Sequence, residues 1–108
     1  MDKNDAVMEE LFLLDREALM EKMAENLDRI SGELNMIPAG IAWRTGLDKE
    51  RVTLIAAGKR KMKWSEYMSI LFMLWDDDRG RQIIEERGLF PDELKRAMAV
   101  NRNAHGPA

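Results

Sequence analysis

The sequence predicts an all-α protein, a compact helical bundle, on three observations. Apolar residues recur at steps of three and four, as in Met20, Met23, Leu27, Ile30, Leu34 and Ile37. Good helix formers (Met, Leu, Ala, Glu, Lys, Arg) dominate the chain. No stretch sustains the period-two alternation of β-branched residues that a half-buried strand needs. At 108 residues the chain is long enough to bury a core without staples.

Each helix has its own local signals. Val7, Leu11, Leu14 and Ala18, with Met8 and Phe12 beside them, form a first apolar set. It falls out of phase with the Met20–Ile37 stripe near Asp15 to Leu19. Either a break or kink separates two helices there, or one long helix presents two faces. Pro38 suits a first helical position, where its missing N–H costs nothing. Gly46 can end that helix in the left-handed conformation, Asp48 can cap the next, and Gly58 can stop it. A further helix is expected from about Ser65 to Trp75. Asp76, Asp77 and Asp78 favour the start of another, running to about Arg87 with Gly88 as its stop. Leu89-Phe90-Pro91 reads as a turn, and Asp92 as the cap of a last helix to about Val100.

Composition narrows the function classes. With no cysteine, disulfides and thiolate metal sites are excluded, and an intracellular setting is expected. The longest apolar run, Ile70 to Trp75, is far short of the ~20 residues that span a bilayer, so no membrane partner is expected. The opening Met1-Asp2-Lys3-Asn4-Asp5 does not read as a secretion signal. His105 is the single histidine, and no nucleophile–base set or phosphate-cradling glycine loop stands out. The three aspartates at 76–78 lack the spacing of a calcium loop. The expectation is therefore no enzyme, no metal and no cofactor. The nine methionines fall mostly on apolar helical positions and read as core.

Net charge is −3, yet the charges are segregated. Residues 43–63 carry Arg44, Lys49, Arg51, Lys59, Arg60, Lys61 and Lys63 against only Asp48 and Glu50. A local basic patch is what phosphate binding needs, because charges are screened beyond ~8 Å at physiological salt.

That patch overlaps two short helices joined by a Gly46-Leu47 turn. Ala42 is small enough for close helix approach, and Ile41, Leu47, Val52 and Ile55 are expected to point inward. The pattern Ala42-x3-Gly46-x5-Val52-x2-Ile55 resembles the helix-turn-helix of the Cro and phage-repressor (Xre-like) family. The resemblance covers about residues 24–75. Leu27, Ile30 and Met36 match upstream apolar positions, and Trp64, Tyr67, Ile70 and Leu74 match those of the following helix. Gly58-Lys59-Arg60-Lys61-Met62 is similar to a Gly-Lys-Arg-Lys-Pro segment that often follows the recognition helix. The chain departs from the family pattern at Pro38, where Gln is common, at Ala56, where Glu is common, and at Met62 in place of Pro.

The resemblance implies a lambda-repressor-like fold and sequence-specific binding of double-stranded DNA by a bacterial or phage transcriptional regulator, a repressor at the nucleoid in the cytoplasm. Lys49, Glu50, Thr53 and Leu54 would read base edges. Arg44, Arg51, Lys59, Arg60, Lys61 and Lys63 would hold the DNA backbone, with Arg51 within reach of a base as well. It also implies a homodimer on two half-sites. The corresponding division is an N-terminal helical extension at 1–19, a DNA-binding domain at 20–75, a C-terminal helical extension at 76–101 and a flexible tail at 102–108. Val7, Leu11, Phe12, Leu14 and Ala18, or Ile83, Ile84, Leu89, Phe90, Leu94 and Met98, would supply a dimer stripe or else cover the subunit's own core. Trp43 is expected to pack on the N-terminal helix, line a subunit contact or stack near DNA. Trp64 and Trp75 are expected in the core or an interface. Two other functions fit the same fold: an antitoxin that binds a toxin through a terminal extension, and a protein-interaction module that binds no DNA.

Overall fold

The stripe of Met23, Leu27 and Ile30 builds the first helix, α1 (Arg16–Glu33), and all three side chains are buried. The computed structural model describes residues 14–104. Val7, Met8, Leu11, Phe12 and His105 lie outside them. α1 ends in a turn at Leu34-Asn35, with Asn35 in the left-handed region at φ 54°, which Asn tolerates better than most residues. The helical period therefore stops short of Ile37, which is 70% exposed rather than part of the stripe.

Five more helices follow: α2 (Pro38–Thr45), α3 (Lys49–Ala56), α4 (Trp64–Trp75), α5 (Asp78–Glu86) and α6 (Asp92–Ala104). The protein is all-α, with no strand among the described residues. No helix among them is long and apolar enough to cross a membrane.

Residues Arg16–Leu89 form one compact unit. Within it α2 packs on α3 and α4 on α5, while α1 touches both α3 and α4. Its core gathers Met23, Leu27, Ile30, Ile41, Val52, Ile55, Tyr67, Ile70, Leu71 and Leu74. Ile83, Ile84 and Leu89 are buried in the same unit. For these three residues, covering their own core is the alternative found.

The α4–α5 corner is tight. Asp77, rather than Asp76, is the N-cap, its carboxylate accepting from Gly80 N–H at 2.9 Å. Asp76 instead closes α4. Gly80 lies so near α4 that a Cβ there would sit 2.1 Å from the Leu74 carbonyl oxygen. The other end of α5 is tied to α1, where Arg87 donates to Glu33 and, at 3.4 Å, to Asn26. The single tyrosine, Tyr67, is buried and donates its hydroxyl to Leu89 O. Burial pushes its pKa up to about 12. Trp64, half-buried, stacks on Tyr67 at 4.7 Å and carries the Arg16 guanidinium 4.9 Å above its ring.

The described residues from Phe90 on belong to a second unit. There α6 begins at Asp92, whose place is the first turn and not the cap. Pro91 O accepts from the N–H groups of Leu94 and Lys95. The helix runs to Ala104, past the expected stop at Val100.

Candidate nucleic-acid interface

Two eight-residue helices, α2 and α3, meet through a turn that the backbone builds without strain. Pro38 opens α2 and Gly46 closes it at φ 77°, its N–H returning to Ala42 O at 2.9 Å. A residue with a Cβ is disfavoured in that conformation by roughly 1–2 kcal/mol. Thr45 Oγ1 donates to Ile41 O at 2.7 Å and accepts from Leu47 N–H at 3.3 Å, filling the gap before α3. Asp48 caps α3, accepting from Arg51 N–H at 3.1 Å.

Inward residues of the unit sit as the spacing predicts: Ile41, Ala42, Val52 and Ile55 are buried. Leu47 is only half-buried, because it lies in the turn between the helices. Outward on α3, Lys49, Glu50 and Thr53 are exposed beside Asp48 and Ala57, and Leu54 is half-buried. Lys49, Glu50, Thr53 and Leu54 are the side chains expected to read bases. Thr53 Oγ1 donates to Lys49 O at 2.9 Å.

Past α3 the chain turns at Gly58, and Lys59, Arg60, Lys61 and Lys63 are all exposed. Met62, between them, is buried, so an apolar pin holds the middle of a cationic loop.

Arg51 is placed differently from the other cations. Its Nε donates to Glu66 Oε2 at 2.6 Å and its Nη2 to Glu66 Oε1 at 2.8 Å, a two-pronged ion pair from α3 to α4. The same Nη2 donates to Lys61 O at 3.2 Å, and Glu66 Oε1 also accepts from Lys63 N–H at 2.8 Å. The hydrogen bond from Arg51 holds the Glu66 carboxyl below its ordinary range against the opposing effect of burial, helped by Lys63 N–H and by the charges of Arg51 and Lys63. Arg51 is shifted up, chiefly by its hydrogen bond to Glu66, with burial opposing and the charges of Glu66 and Asp48 assisting. A guanidinium whose Nε and Nη2 are engaged in this way is a bracket for the loop, while its side chain stays 31% exposed. Neither residue's part was legible in sequence, because the pairing spans 15 positions and three elements.

Three of the other cations, Arg44, Arg60 and Lys61, line two depressions. One, of about 350 Å³, lies between α1 and the end of α3, with Glu17, Glu21 and Glu25 on one wall and Arg60 and Lys61 on the other. Arg44 is exposed at the end of α2 and lines a different one with α4 residues. Trp43 is 86% exposed on the outer side of α2, which leaves a subunit contact or stacking near DNA as its expected roles.

No family model matches the chain, and no curated protein or solved structure is significantly similar to it.

Proposed function

We propose that the chain binds duplex DNA sequence-specifically, as a transcriptional regulator of the Cro and phage-repressor type acting at the nucleoid. One observation carries the reading. A capped eight-residue helix leaves Lys49, Glu50 and Thr53 exposed, directly followed by a basic loop pinned at Met62 and bracketed by Arg51 and Glu66.

Each outward group has a fitting role. Lys49 donates to guanine O6 or N7, Glu50 accepts from cytosine N4, and Leu54 and the Thr53 methyl group meet a thymine methyl. Lys59, Arg60, Lys61 and Lys63 hold phosphates and set the register of α3 in the major groove. Arg51 acts beneath them as a positioning residue. One helix reads few bases, so the functional form is a dimer with half-sites ~34–36 Å apart. Occupying a promoter in this way represses transcription.

Selection from a random duplex pool at two salt concentrations, with sequencing of the bound fraction, tests this. The expected result is a palindromic motif and a steep loss of affinity with salt. Replacing Lys59, Arg60 and Lys61 by Ala is expected to weaken all sequences alike. The log–log salt slope should fall by about 3 for each subunit of the dimer, close to one for each phosphate no longer neutralised. Absence of binding even at low salt would overturn the reading in favour of a protein-interaction module. A small protein co-purifying with the chain would shift it to an antitoxin.

A further inference from the structure

α4 is apolar on two sides. Tyr67, Ile70, Leu71 and Leu74 enter the core, yet Phe72 remains 51% exposed and Trp75 38%. Met73 beside them is half-buried. An apolar outer face on a helix already paired with the core marks an interaction surface. Here it borders a shallow depression of about 590 Å³, where Phe72, Met73, Trp75 and Asp76 from α4 meet Arg44 and Thr45 from α2. Among the described residues, neither Arg44 nor Asp76 is engaged in an ion pair.

We propose that this face binds a second copy of the chain. The depression carries one cation, Arg44, and one anion, Asp76, beside an aromatic centre, while Arg81 over the Trp75 ring is already paired with Asp78. A two-fold contact is self-complementary: each residue meets the partner's matching position, so Arg44 of one copy faces Asp76 of the other, twice. Phe72 of both copies then fills the middle and is shielded from water by those pairs, the arrangement in which aromatic side chains contribute most to association. Duplex DNA fits this face poorly, because Asp76 repels phosphate and Phe72 offers it no hydrogen bond. The inference deepens the dimer of the DNA-binding reading, but does not need DNA. It places Arg44 at a subunit contact and not on the DNA backbone.

Sedimentation velocity of the full chain without DNA, across micromolar concentrations, provides the test. The wild type is expected to associate to a dimer. Phe72→Glu weakens that association by at least about tenfold. Arg44→Asp weakens it too, and adding Asp76→Arg recovers most of the loss, the signature of a direct pair. Circular dichroism checks that each variant keeps its helix content, and the exposed charge reversals serve if Phe72→Glu does not fold. A wild type that stays monomeric overturns the proposal. So does an association untouched by a folded Phe72→Glu, or charge reversals with no recovery in the double variant. A monomer that still selects a DNA motif leaves the DNA reading standing, and a dimer that binds no DNA leaves this one standing.

Discussion

Two corners of the chain are built from the same residue types and use them for different ends. At the α2–α3 corner Asp48 caps α3, and at the α4–α5 corner Asp77 caps α5; each carboxylate accepts from the N–H three residues on. The glycines differ. Gly46 is needed for its backbone angle, with open space where a Cβ would stand. Gly80 has an ordinary helical backbone and is needed for its size, because Leu74 lies against it. One corner is set by local conformation, the other by how closely two helices approach.

Breaking the second corner has the largest expected effect. Gly80→Ala drives a methyl group into the Leu74 backbone, which cannot rotate away as a side chain can. A loss of about 3 kcal/mol is expected, at the upper end of overpacking costs, read as a fall in the urea midpoint. No loss would mean that α5 shifts freely along α4.

The tie from the first corner to α4 comes next. Glu66→Gln removes the charged acceptor of Arg51 and is expected to cost about 2 kcal/mol at neutral pH, less than a fully buried pair because Arg51 is partly solvated. The pH dependence sharpens the assignment. Glu66 is more acidic folded than unfolded. Its stabilisation is therefore complete above the ordinary carboxylate value of ~4.3 and is lost as pH falls through the lower folded value. Thermal melts taken down through that window should show a shallower acid slope in Glu66→Gln than in the wild type. Equal slopes would assign the acid sensitivity to other carboxylates.

Gly46→Ala is the mildest of the three. The methyl group meets no neighbour, so only the left-handed conformation is penalised, by about 1 kcal/mol. On the proposed DNA-binding reading, its effect on DNA affinity, measured with the protein fully folded, should be small. A loss of binding much larger than the loss of stability would show that the turn angle aims α3.

The same contrast explains what the sequence reveals. Pro38, Gly46, Asp48 and Gly58 act within a turn of their own position, so their spacing alone locates α2 and α3. The steps from Met23 to Ile30 similarly identify the buried side of α1. Gly80 reads as an ordinary helix residue, since nothing nearby in sequence records the approach of Leu74. Arg51 reads as one more cation of a basic segment until Glu66, 15 positions on, is brought beneath it. Trp43 and Ile37 have the composition of core residues, but helix ends and helix rotation leave both in solvent. Local chemistry is legible from one chain, whereas contacts between elements become visible only in the fold.

Met62 gives the basic loop an entropic advantage. Positive charges on a free segment must be ordered at the moment of contact, at roughly 0.5–1.5 kcal/mol for each long side chain immobilised and more for the backbone beneath. With Met62 buried and Lys61 O and Lys63 N–H already bonded to Arg51 and Glu66, the backbone share of that ordering is completed during folding. On the proposed DNA-binding reading, what is left for the encounter is side-chain adjustment and the release of counterions.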